Sequence, residues 1–111
     1  MNITQRTGTY YTETRQLHIF EITDAQGLAS AIYIDPETHV IANIETRDDR
    51  QGEGLARALY EAADEALGIY HMPQWGCTPE GWAFAQAVGG DILDDETAAE
   101  FAGVDLETLG L

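Results

Sequence analysis

Apolar and polar residues alternate along residues 16–23 and 28–34, the period-two pattern of strands with one buried face. The residues between them, Asp24-Ala25-Gln26-Gly27, have turn composition, so the two runs predict a hairpin. Asp35-Pro36-Glu37-Thr38 marks a second turn, and residues 39–46, with Val40, Ile41 and Ile44, predict a third strand. The period then changes. Leu55, Leu59, Ala62, Ala63, Ala66 and Leu67 recur at helical spacing from Glu53 to Leu67, where Gly68 ends the pattern. Residues 69–72 read as a short strand closed by Pro73, and Thr78-Pro79-Glu80 opens a second helix that runs to Val88 before Gly89-Gly90. From Asp91 onward seven acids are interleaved with Ile92, Leu93, Phe101, Val104, Leu106 and Leu109, which predicts an edge strand and a short helix rather than a disordered acidic tail. The order β-β-β-α-β-α gives a mixed α/β (α+β) class, and 111 residues with 44% hydrophobic content fit one domain spanning 1–111.

The junction between the third strand and the first helix, Gln51-Gly52-Glu53-Gly54-Leu55-Ala56, carries the chemistry. Glycine adopts positive φ without penalty and lets a ligand approach the backbone. Helix-start N–H groups make such a turn a cradle for phosphate. The P-loop requires a lysine, and the chain has none; the dinucleotide fingerprint requires a third glycine where Arg57 stands. The residues do match Gln/Arg-x-x-Gly-x-Gly/Ala, with Gln51, Gly54 and Ala56 on its fixed positions. In this motif the chain resembles the GNAT superfamily of N-acetyltransferases, and its element order between about 16 and 93 is also GNAT-like. The resemblance implies a short member, trimmed in the family's N-terminal strand and helix region and of the kind carried by phage or mobile elements. It implies acetyl-CoA as cofactor, held by Gln51, Gly52, Glu53, Gly54, Leu55, Ala56 and Arg57 and by Ile44 and Thr46 at the end of the preceding strand.

Charge sharpens the picture. Twenty acids against five arginines give a net charge of −15, which argues against direct nucleic-acid binding and favours a cationic partner, a small amine or a basic protein. The same charge also serves solubility or the mimicry of nucleic acid. Arg47, Arg50 and Arg57 fall within the eleven residues around the glycine turn and balance Asp48, Asp49 and Glu53, so this window is the least repulsive place for an anion. One cysteine, Cys77, excludes an intrachain disulfide and fits a reducing compartment. The absence of a signal-like start or an apolar run of membrane length leads to the expectation of a soluble cytoplasmic protein, with homodimerisation through an edge strand open to it. Three scattered histidines have no metal-ligand spacing.

Acetyl transfer needs a base for the amine, a donor for the thioester oxygen and an acid for the leaving thiolate. The family often places that acid as a tyrosine in the helix after the second splayed strand; by resemblance Ala85 holds this position, with Gly89-Gly90 in place of a Gly-Phe pair. The remaining candidates are Glu45 at the end of residues 39–46, Glu37 before it, and Tyr70 and His71 in 69–72. Tyr70 and His71 point to opposite faces of a strand. Trp75 and Trp82 suit core or groove packing, and Cys77 has no oriented histidine partner. The expected function is N-acetylation of a primary amine. The competing expectation is a catalytically weak acidic protein that acts by binding a basic or nucleic-acid-handling partner.

Overall fold

The computed structural model describes residues 2–110 and divides into two compact units, one ending at Ile69 and the other beginning at Tyr70. Among the described residues the fold is α+β, with a four-stranded antiparallel sheet and four helices.

The first unit holds β1 (Thr4–Gly8), β2 (Leu17–Asp24), β3 (Gly27–Ile34), β4 (Ile41–Thr46) and α1 (Leu55–Leu67), with sheet order β1-β2-β3-β4. The two turns anticipated from composition form as expected. In the first, Asp24 Oδ1 accepts from the Gln26 amide at 2.8 Å while Gly27 takes φ +113°. In the second, buried Asp35 accepts the Thr38 amide and hydroxyl, each at 2.8 Å, and the Glu37 amide at 3.2 Å. A buried carboxylate is tolerable because these donors replace its water.

β1 adds a strand that the hydrophobic pattern does not announce. Its residues Thr-Gln-Arg-Thr-Gly are almost all exposed, so it contributes no apolar stripe and owes its shape to pairing with β2. Arg6 reinforces it with an ion pair to Glu21 at 2.8 Å.

Both faces of the central strands are buried. Register aligns Ile19 with Tyr33 and Ala31 with Glu45, and Leu17, Ile19, Ala31 and Tyr33 form a cluster on which Tyr10, Leu28 and Ala42 pack. Phe20, Ile32 and Ile44 align on the opposite face, the side on which α1 packs across β2, β3 and β4. Leu55, Leu59, Tyr60 and Ala63 form the buried stripe of α1. His39, at φ +61°, places Nδ1 2.9 Å from the Leu67 carbonyl and so satisfies the end of this helix.

In the second unit α2 (Pro79–Val88), α3 (Asp95–Ala102) and α4 (Leu106–Leu109) are each opened by a side-chain cap, from Thr78, Asp94 and Asp105 respectively. Residues 69–72 do not form a strand. His71 instead forms a single parallel bridge with Ile92 through two backbone bonds of 2.9 Å, to the Asp91 carbonyl and from the Leu93 amide. With α2 as crossover, this is a one-residue version of a β-α-β unit. Pro73 in one segment and Asp94, the cap of α3, in the other end the pairing on its C-terminal side.

Candidate functional site

β4 runs into a 3-10 turn at Asp48–Arg50, after which Gln51 returns to extended backbone. Gly52 then takes φ +81° and Gly54 φ +80°, and Gly54 is the N-cap of α1. A β-carbon added at either glycine would meet no atom within 4 Å. Glycine is therefore needed here for its backbone conformation and not for tight packing. Residues 51–54 are exposed, whereas Leu55 is buried and anchors the helix start. The Leu55 and Ala56 amides lie in the first turn, where no intrahelical carbonyl reaches them. Arg57 is exposed one residue further on. Gln51 Nε2 donates to the Thr46 carbonyl at 3.4 Å and to Asp48 at 3.3 Å, which folds its side chain back toward the end of β4.

The arginines beside the turn are engaged with local acids. Arg47 contacts Asp24 through Nη2 at 2.5 Å and Asp49 through Nε at 2.6 Å, and it donates to the Leu28 carbonyl at 3.0 Å. Arg50 bridges Asp24 at 2.6 Å and Glu53 at 2.8 Å. The Arg47 hydrogen bond, followed by the Gln26 amide and Arg50, holds the Asp24 carboxyl far below the usual carboxylate range; reciprocally, Arg47 and Arg50 are raised. Asp24 was legible from sequence only as a turn residue. The signal that locates it is register: β3 pairs with both neighbours, so the β2–β3 turn and the end of β4 meet at one edge, as the bond from the Arg47 amide to the Ala29 carbonyl shows.

Glu45 precedes Thr46 and, by strand alternation, faces the other side of the sheet. Tyr11 Oη donates to its Oε2 at 2.7 Å and Tyr33 Oη to its Oε1 at 2.8 Å. Tyr10 meets Tyr11 and Tyr33 edge-on, with ring centroids 4.7 and 4.9 Å away. Burial, then the bond to Glu45, pushes the Tyr33 phenol well up; for Tyr11 the Glu45 bond is the main cause of a rise. Ile44 is half-buried on the α1 side, and Thr46 shares a 2.8 Å hydroxyl bond with Ser30. Glu37 lies exposed in its turn.

Tyr70 and His71 belong to the second unit, and Glu45 and the glycine turn to the first. Tyr70 is exposed; His71 is 4% exposed and its Nε2–H donates to the Gly89 carbonyl at 2.7 Å, with the ring edge-on to Phe84. That bond joins the bridge residue to the end of α2. Trp75 donates to Asp95 at 2.9 Å, and Trp82 is half-buried on α2. Burial raises the Cys77 thiol, which donates to the Met72 carbonyl at 3.4 Å, a poor setting for a nucleophile. Ala85 is buried on α2. Among the described residues no three His, Cys, Asp or Glu side chains cluster as a metal site, and no helix is long and apolar enough to cross a membrane.

Comparison with known protein families, curated proteins and solved structures finds no match.

Proposed function

We propose that the chain is a small GNAT-type protein that binds acetyl-CoA at the glycine turn and directs its acetyl group to a primary amine. The observation that carries this reading is the turn itself: β4, two left-handed glycines in open, exposed backbone, then the first turn of a 13-residue helix. The open backbone at Gly52 and Gly54 lets a pyrophosphate approach closely, and the Leu55 and Ala56 amides would hold it. With Arg47 and Arg50 committed to Asp24, Asp49 and Glu53, backbone donors would supply most of the anion binding. Bound there, acetyl-CoA supplies an activated acetyl thioester. Glu45, whose two oxygens are fixed by Tyr11 and Tyr33, would take a proton from an incoming ammonium.

Calorimetric titration of the folded protein with acetyl-CoA tests this directly, and saturable binding is expected. Gly54→Asp should abolish it by setting a carboxylate over the pyrophosphate, while Gly54→Asn, of similar size and also able to adopt positive φ, should weaken it less. No binding by the wild-type protein would overturn the reading.

A second reading has its own support: all five arginines lie in the first unit, and the second has eight carboxylates with neither lysine nor arginine. In that reading the chain acts by holding a basic partner, and such binding survives Gly54→Asp.

A further inference from the structure

The Glu45 carboxylate receives one phenol on each oxygen, Tyr11 at 2.7 Å and Tyr33 at 2.8 Å. A carboxylate offers about four lone-pair positions, so each oxygen keeps one for another donor. The two phenols differ in setting. Tyr33 is 4% exposed and fixes Glu45 from the core, whereas Tyr11 is 68% exposed and fixes it from the solvent side. Tyr11 also has φ +50°, a left-handed backbone that a residue with a β-carbon seldom adopts. An exposed ring gains little burial in return; its bond to Glu45 and its edge contact with half-buried Tyr10 hold it there. Backbone strain placed beside a charge is a feature of ligand sites.

A carboxylate at the foot of a solvent-facing aromatic ring suits one ligand chemistry well. An ammonium on an apolar stem gives N–H bonds to the carboxylate, charge to the ring face and methylenes to the ring surface. A divalent metal fits less well, because Glu45 is the single carboxylate bonded to the tyrosines. The net charge of −15 brings such cations toward the chain.

We infer that Glu45, Tyr11 and Tyr10 form a binding site for a primary alkylammonium, the lysine side chain of a basic polypeptide. The inference rests on the proposed acetyltransferase reading only in making this group its acceptor; the binding itself needs no cofactor.

The test is an NMR titration with Nα-acetyl-lysine amide, and with its Nε-acetylated counterpart as the neutral control. Saturable shifts at Tyr10, Tyr11 and Glu45 are expected for the cation alone. Glu45→Gln should weaken binding by about tenfold or more, the effect of losing a charged hydrogen-bond partner. Tyr11→Ala should weaken it by about two- to fivefold, the effect of an exposed cation–π contact. Glu61→Gln, at an exposed position on α1, should change nothing. Equal binding by wild type and Glu45→Gln, an equal loss in Glu61→Gln, or no saturable binding overturns the inference. If Glu45→Gln does not fold, Tyr11→Ala decides alone, since its exposed ring contributes little to the core. Gly54→Asp should retain ammonium binding. A wild-type protein that binds the ammonium but not acetyl-CoA would therefore defeat the acetyltransferase reading and leave this site standing.

Discussion

Asp24 gathers more of the first unit's polar chemistry than any residue singled out by motif. It receives Arg47, Arg50 and the Gln26 amide, and Arg50 passes the connection to Glu53 inside the glycine turn. A turn of exposed glycines has little intrinsic rigidity, so this chain of ion pairs is what gives it one shape. The pH dependence follows from the sign of the shift. Asp24 is depressed in the folded state, below the ordinary aspartate value of about 3.9, so its stabilising effect is fully present above that value and is lost as pH falls through the depressed one. Asp24→Asn should lower the melting temperature by a constant amount above about pH 5, with the difference from wild type shrinking in stronger acid. Amide exchange in residues 47–54 should quicken in the same variant. A constant melting difference down to the acid limit, or unchanged exchange, would show that the clasp does not order the turn.

At the scale of elements, sequence was a good guide wherever apolar periodicity and local chemistry agreed. The β2–β3 hairpin, β4, α1 and α2 sit within about two residues of their expected bounds, because each has an apolar pattern framed by its own turn or cap. The misses share a cause. β1 is a polar strand created by its neighbour, and the bridge at His71 and Ile92 is a nonlocal pairing of one residue with one residue. The site divides in the same way: the glycine turn is local and was readable, whereas Asp24 and the tyrosines on Glu45 reach their partners across the sheet. The helices provide a graded check. Leu59, fully buried on α1, should cost about 2–4 kcal/mol as Leu59→Ala, and Thr78→Ala, which removes the cap that accepts the Gly81 amide at 3.0 Å, about 1 kcal/mol. Chemical denaturation followed by circular dichroism measures both. An inverted order would mean that α1 is not the packed element of the first unit.

For the whole molecule, the decisive quantity is how unevenly its −15 charge is distributed. The first unit meets its twelve carboxylates with five arginines, and Arg6, Arg15, Arg47 and Arg50 pair with acids at 3.5 Å or less. The second unit has no such relief. Asp94, Asp95 and Glu96 favour the start of α3, but Glu100 lies toward its C-terminal end, where a negative charge opposes the helix dipole. Salt should therefore act on the units with opposite emphasis. Raising NaCl from about 10 mM to 150 mM shortens the screening length from roughly 30 Å to 8 Å, which relieves carboxylate repulsion while it weakens exposed ion pairs. Amide protection in α3 should rise over that range, and protection in residues 47–54 should hold or fall. Hydrogen exchange at the two salt concentrations reads both segments in one experiment. Equal gains throughout would mean that net charge alone governs stability and that the arginine clasp contributes nothing separate; a fall in α3 would mean that self-repulsion is not what limits the second unit.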